Sequence, residues 1–387
     1  MSNSLRLYNT IMPFLFKSAV RLHDIRIFST FAWAVVGLLL SHTVSLTRWC
    51  QHRPGPAQAD SKVRQLTRWL HNPKIEVQAC FQPLIKNTLL GWLDEKLVLA
   101  LDTSQLWERF VIVRLSLIYR GRAIPLIWQV LESASASVSF ETYASLLKTV
   151  APWLPAGVPV LFLADRAFGN YRLLRLLRDL HWRFRIRLKQ SCTVYRADYS
   201  KTNLARLLPP RGEVRFVYKI WLTAKRFGPL YLALGHVQTQ DGYEKWAIVS
   251  DEPTCLQTFD EYGLRFDIEE NFLDDKSSGF QLENSLIREA EALTRLGLIL
   301  ATATLYLVST GVSVVTLGLR RLVDSHWQRG LSYFKLGWRW LDYALTQTRF
   351  LLRFPWLDPA PDPAPVSASK KQDARPRVIV YALSLQT

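Results

Sequence analysis

From Lys96 to Leu188 the apolar residues fall into short runs punctuated by turn residues, whereas on either side they recur at helical spacing. "KLVLALD" is one such run, ending at Asp102. "FVIVRLSLIYRGRAIPLIWQVL" reads as two more strands joined at Arg120 and Gly121, and connections this short predict antiparallel pairing. After the Ser/Ala-rich "ESASASVS", the stretch "FETYASLLKTVAPWL" has helical spacing and "VPVLFLAD" is a further strand, ending at Asp165. "NYRLLRLLRDLHW" follows as an amphipathic helix. "RFRIRLK" then alternates Phe184, Ile186 and Leu188 with Arg183, Arg185 and Arg187, which predicts a strand with one basic face. A helix between strands permits a parallel crossover, so the fold class is a mixed α/β sheet flanked by helices, with ligands expected beyond the strand ends.

The flanking segments divide the chain further. Residues 1–92 read as an N-terminal helical domain. Within it "SKVRQLTRWLHNPK" places Val63, Leu66 and Leu70 on one helical face with Ser61 as the expected cap, and Lys62, Arg64 and Arg68 largely elsewhere. Such a module suits contact with DNA, or is simply a solvated amphipathic helix. Residues 93–189 form the first part of the core and 190–255 a β-rich insertion, with strand-like "GEVRFVYKIWLTA", "PLYLALGHVQ" and "YEKWAIVS" separated by turn residues. Residues 256–325 resume the core in helices, 326–352 form a C-terminal helical region, and 353–387 are a Pro/Ala-rich tail expected to be extended or disordered.

Two uncharged runs, 27–47 and 296–319, are long enough to span a bilayer. Both are diluted by Ser, Thr, Gly or His, which suits a helix buried on all sides equally well. Composition shifts the balance towards a polyanionic partner, because 49 Lys and Arg against 32 Asp and Glu leave a formal charge of +17. The four cysteines have no metal-ligand spacing and are expected to be reduced thiols, and the opening residues carry no secretory cleavage pattern.

Candidate chemistry starts with the two aspartates, each placed where an apolar strand reaches water. If those strands are neighbours the carboxylates converge, an arrangement favoured by a divalent cation between them; the alternative is that each begins a turn or caps a helix. A second pattern lies in "YGLRFDIEENFLDDK". At 100° per residue, Tyr262, Arg265, Glu269 and Lys276 fall within a stripe of about 60°. Glu270, Asp274 and Asp275 fall outside it, so Glu269 is the expected third carboxylate.

Tyr, two residues, Arg, three residues, Glu, six residues, Lys resembles the YREK signature of bacterial insertion-sequence transposases of the DDE class, and "ALDTS" and "LADRAFGN" resemble that group's two aspartate motifs. The resemblance covers roughly residues 60 to 310. It implies a ribonuclease-H-like sheet, interrupted by the β-rich insertion, and DNA cleavage and strand transfer at a site where Asp102, Asp165 and Glu269 hold two Mg²⁺ ions, with Mn²⁺ able to substitute. It further implies that Tyr262, Arg265 and Lys276 contact phosphates, that the partners are double-stranded transposon ends and target DNA, and that a homodimer forms on paired ends. Relatives place a base-stacking aromatic in the insertion, where Trp221 and Trp246 are the candidates and core packing is their other reading. The implied setting is the bacterial cytoplasm, at the nucleoid, with no membrane. The rival readings are a transposase-derived DNA-binding protein without catalysis, a nuclease of the same fold, and a membrane-associated protein.

Overall fold

The predicted runs assemble into one sheet that is larger than the sequence suggests. The computed structural model describes residues 2–18, 24–239, 242–354, 356–365, 376–378, 380 and 382–386. The chain opens with helices α1 (Asn3–Lys17), α2 (Ile25–Ser41), α3 (Leu46–Gln51), α4 (Ala59–Leu70) and α5 (Val77–Thr88). The first sheet elements follow: β1 (Leu97–Leu106), β2 (Phe110–Tyr119), β3 (Arg122–Glu132), α6 (Phe140–Val150), β4 (Val160–Ala164), α7 (Tyr171–Asp179) and β5 (Arg183–Arg187). Then come β6 (Thr193–Tyr195), β7 (Lys201–Asn203), α8 (Leu204–Leu207), β8 (Glu213–Leu222), β9 (Phe227–Thr239) and β10 (Gly242–Ser250). The remainder is α9 (Gln257–Gly263), α10 (Phe266–Leu273), α11 (Ala290–Thr316), α12 (Tyr333–Thr346), β11 (Arg377–Val378) and β12 (Ala382–Gln386).

Among the described residues the strand order is β3-β2-β1-β4-β5-β10-β9-β8-β6-β7. The first three strands are antiparallel, and β4 and β5 run parallel to β1. The turn between β2 and β3 falls where the sequence places it, with Arg120 and Gly121 both at positive φ, the geometry that matches the twist of a tight hairpin. Strand β2 is buried along its whole length. Helices α6 and α7 begin at caps readable in the sequence: Ser139 accepts from the Thr142 N–H and Asn170 from the Leu173 N–H. Helix α4 differs, because it starts at Ala59, so Ser61 lies inside it and caps nothing.

Packing adds to two expectations and changes a third. The strands of 190–255 extend the main sheet, since β10 pairs with β5. Part of the tail joins it too: β11 pairs with β9 and β12 with β8, while residues 366–375 lie outside the described residues. Strand β5 does not offer an open basic face, because Arg185 is buried against Glu261 at 2.8 Å and Glu252 at 3.0 Å.

The apolar runs become interior helices. Residues 27–47 split, with α2 ending at Ser41 and His42 taking a left-handed conformation before α3. Helix α11 is the one described helix long and apolar enough to cross a membrane, yet 89% of its most apolar window is buried, against β3, α2 and α12. Its glycines explain the dilution seen in the sequence. A Cβ at Gly297 would fall 2.3 Å from the Trp128 indole, and one at Gly311 2.1 Å from the Tyr333 carbonyl, so both positions let neighbours approach the backbone. The core is continuous from α1 and α2 through the sheet to α12, so residues 1–92 share one interior with the rest of the chain.

Candidate active site

Register alone brings the first two carboxylates together. In the parallel pair, Leu101 of β1 stands opposite Ala164 of β4, so Asp102 and Asp165, one residue further along each strand, emerge side by side. Asp102 is also directly opposite Arg114 on β2, which puts both side chains on one face of the sheet. Helix α10 packs across that face over β1, β2 and β3 through buried Ile268, Asn271 and Phe272. Its outward side carries Glu269, whose side chain is 48% exposed.

Arg265 joins the helix to the strand. Its Nη1 donates to Asp102 at 3.0 Å and its Nη2 to Glu269 at 2.7 Å, while the residue itself is only 5% exposed. Tyr262 lies fully buried behind this pair, with its hydroxyl 3.5 Å from Asp165. The three predicted carboxylates are thus linked to two of the predicted stripe residues: Asp102 and Glu269 through Arg265, and Asp165 through Tyr262. Lys276 goes elsewhere on the same edge, its ammonium donating to the backbone carbonyl of Gln105, three residues past Asp102.

The stripe is not one helix. Helix α9 ends at Gly263, the chain makes a tight turn in which Arg265 N–H bonds the Tyr262 carbonyl, and α10 is followed by a π turn over Asp274–Ser278. The wider π turn advances less than 100° per residue. That turn directs Asp274 and Asp275 inward and carries Lys276 to β1.

Electrostatics set the carboxylates apart from ordinary surface acids. Burial pushes the Asp102 carboxyl up to about 6; Arg265 and the Thr103 N–H oppose the rise, while Glu269 and Asp165 add to it. A carboxylate held this way gains from any cation placed beside it. Burial also works against the Arg265 charge, but Tyr262, Asp102, Glu269 and Asp165 hold its ionisation above the usual arginine value. The Tyr262 hydroxyl is raised by burial and is a neutral donor. Burial depresses the Lys276 ammonium, with Glu283 pulling the other way.

As the side chains lie, no three carboxylates, histidines or cysteines among the described residues are grouped to hold a metal ion. The Arg265 guanidinium stands between Asp102 and Glu269. The donor set nevertheless fits a hard divalent cation in kind, with carboxylate oxygens as ligands and a positive charge already drawn between two of them.

The insertion tryptophans do not offer a stacking face here. Trp246 is 1% exposed, stacks on Phe266 at 5.9 Å, meets Tyr262 edge-on at 4.9 Å, and donates its indole N–H to Glu244 at 3.1 Å. It supports Tyr262 from behind. Trp221 is half-buried under Arg226 on β8, opposite Tyr195 of β6.

A buried layer beneath Glu269 escaped the stripe argument. Arg114 pairs with Asp275 at 2.6 Å and with the Asn271 amide oxygen at 2.8 Å, and Arg122 pairs with Asp274 at 3.0 Å. The clue was an arginine in the middle of "FVIVRLSLIY": a cation in an all-apolar strand requires a buried acid opposite it, and "DD" was the supply.

A model of the transposase DDE domain matches residues 91–306, which span β1 to the middle of α11 and include every predicted site residue. By structure the chain is similar to a piggyBac transposase in a synaptic complex with hairpin DNA, at 11% identity and a TM-score of 0.45, covering 89% of this chain and 78% of that one. No curated protein matches it.

Proposed function

The chain belongs to the transposase DDE domain family, and from that premise we propose that it is an insertion-sequence transposase carrying the YREK signature, which binds transposon ends and cuts and rejoins DNA with divalent metal ions. The observation that carries the proposal is the parallel register of β1 and β4, where Asp102 within β1 and Asp165 just past the end of β4 stand together with Glu269 tied to Asp102 through Arg265. The strand order 3-2-1-4-5, with three antiparallel strands followed by two parallel ones, supports a ribonuclease-H-like core.

In this reading Asp102, Asp165 and Glu269 would hold two Mg²⁺ ions, which when bound supply an activated oxygen nucleophile and stabilise the leaving oxygen. The rest of the work falls to the chain's own groups. Tyr262, buried and neutral, orients the Asp165 carboxylate by its hydroxyl and keeps water from that side. Arg265 holds Asp102 and Glu269 at one edge and offers its fork to a DNA phosphate once released from them. Lys276, at the same edge beyond Asp102, supplies a point charge to a neighbouring phosphate. The N-terminal helices add contacts to the ends, the active assembly is a homodimer on paired ends, and the setting is the bacterial cytoplasm at the nucleoid.

The test is a plasmid carrying the gene's flanking DNA, incubated with the purified protein and Mg²⁺. The expected result is nicking at the element ends that disappears in Asp102→Asn and Asp165→Asn while both variants still retard end DNA in gels. Equal cutting by the variants overturns the assignment. Binding without cutting by the wild type would instead make the protein a catalytically silent relative.

A further inference from the structure

The first part of the Pro/Ala-rich tail is docked on the molecule. Residues 356–365, "WLDPAPDPAP", contain the unit Asp-Pro-Ala-Pro twice. Both copies fold alike, because Asp358 accepts from the Ala360 N–H at 3.0 Å and Asp362 from the Ala364 N–H at 2.9 Å. The prolines restrict φ and offer no backbone N–H, so the segment has little conformational freedom to lose on docking. It lies in a groove formed by Trp92, the β2–β3 turn and the region where α12 begins.

The groove reads each copy with one buried arginine and one tyrosine. Arg120, its side chain 5% exposed, meets the Asp358 carboxylate at 3.2 Å and donates to the Ala360 carbonyl at 2.8 Å. Arg329, at 1%, meets the Asp362 carboxylate at 2.8 Å and donates to the Ala364 carbonyl. The same two acceptors, a carboxylate and the carbonyl two residues on, are therefore recognised twice. Tyr119 donates to the Asp358 carbonyl at 3.1 Å, and Tyr333 to the Asp362 carboxylate at 2.6 Å. Leu357 is buried ahead of the first copy, its carbonyl accepting from the Trp92 indole at 3.3 Å. Among the described residues neither arginine has a second acidic partner within ion-pair distance. Burial depresses the Arg329 ionisation, Asp362 and Tyr333 oppose that, and Arg120 adds to it. The two guanidiniums thus need the acids that the segment brings, since a buried charge without its partner is costly.

We propose that this groove is a peptide-recognition site for acidic proline segments of the form Asp-Pro-x-Pro-Asp-Pro, and that residues 357–365 are its internal ligand, closing it in the free chain. The site does not depend on the transposase reading. Position x is read only through its carbonyl, so its side chain is free to vary, whereas both aspartates are required. A segment of the same chemistry from another protein competes with the internal one for the same arginines. The groove also has a fixed place relative to the carboxylate edge: Arg122, next to the β2–β3 turn, pairs with Asp274 at 3.0 Å and Glu270 at 3.4 Å, so the ligand sits on the hairpin that anchors the end of α10.

The experiment uses the full-length protein and a fluorescein-labelled peptide of residues 356–365, with binding followed by anisotropy. In the wild type the internal segment competes at an effective concentration on the order of millimolar, so the peptide binds weakly. Asp358→Asn/Asp362→Asn weakens the internal ligand and is expected to bind the added peptide about tenfold or more tightly than the wild type does. The same peptide carrying Asn at both aspartates is expected to bind that variant about tenfold or more weakly. Near-ultraviolet circular dichroism checks that the variant is folded, and its melting temperature should rise with added peptide. If the double variant does not fold, Asp358→Asn and Asp362→Asn are titrated singly with the same expected direction. A folded variant that binds the peptide no better than the wild type overturns the proposal, as does equal affinity for the two peptides. Wild-type dimers that dissociate when the peptide is added, measured by light scattering, would place the segment in the groove of a second copy and overturn its role as an internal ligand.

Discussion

The segment from Tyr262 to Lys276 makes two sets of arginine–carboxylate pairs that use the same chemistry in opposite ways. On its outer side Arg265 bridges Asp102 and Glu269, and Glu269 remains about half exposed. On its inner side Arg114 and Asp275 meet at 2.6 Å with both side chains at 3% exposure or less. A charge open to water, such as Glu269, is compensated by solvent when its partner moves, whereas a buried pair separated by removal of one member leaves an uncompensated charge. In the outer set only Glu269 is open to water, Arg265 and Asp102 being largely buried; the inner set is closed on both sides and holds the helix.

The sharpest way to break that contrast is at the edge. Glu269→Gln keeps the shape and removes the charge, so a loss of about 10³-fold or more in end cleavage is expected, several kcal/mol of transition-state stabilisation, with little change in melting temperature. Cleavage at wild-type rate would place Glu269 with the bystanders. The inner set should behave in the reverse manner: Asp275→Ala is expected to cost about 3–5 kcal/mol of stability by stranding Arg114. The double variant Arg114→Met/Asp275→Leu should recover most of it in a denaturant titration, and failure to recover would mean that the pair does more than neutralise itself.

pH separates the two sides more finely. Burial pushes the Asp274 carboxyl up to about 6 from an ordinary 3.8, with Arg122 opposing and Asp275 and Glu270 adding to the rise. The folded protein therefore holds this proton more tightly than the unfolded chain. The resulting stability is full below about pH 4 and is lost as the pH rises through about 6, worth about 3 kcal/mol at most. Asp274→Asn should flatten the stability profile over that window, and an unaltered profile would assign the slope to another group. The smallest effect concerns Arg265. If its guanidinium competes with divalent cations for Asp102 and Glu269, Arg265→Gln should tighten Mn²⁺ binding to the DNA-free protein by about tenfold, near 1.4 kcal/mol. Weaker Mn²⁺ binding in calorimetry would instead make Arg265 an organiser of the ligands.

Much of the architecture was legible from hydrophobic rhythm. The β2–β3 hairpin, the strand ending before Asp165, and helices α6 and α7 lie where the local pattern places them, because these features depend on neighbours in the chain; β1 runs past Asp102 to Leu106, because its later residues keep pairing with β2. Ser61 shows the limit, since an N-cap residue type is also tolerated within a first turn. The three candidate carboxylates were picked from local pattern, two after apolar runs and one on a helical stripe that the structure divides between α9, α10 and a π turn. Lys276 was only partly legible, because the stripe assumes a uniform 100° step and the π turn after Leu273 departs from it.

What the sequence determined by itself is the residue chemistry and the local elements: aspartates that follow apolar runs, a glutamate on a helix, and the excess of positive charge. Tertiary structure alone decided which of these meet. Parallel register between β1 and β4 joined Asp102 to Asp165, the pairing of β10 with β5 made the strands of 190–255 continue the main sheet, and packing of α10 over Arg114 assigned Asp274 and Asp275 to the interior. The physical reason is that local pattern fixes which way a side chain faces along its own element. Whether that face meets water, a carboxylate or a buried arginine depends on contacts made across 150 residues or more of chain, as between Arg114 and Asn271, 157 positions apart.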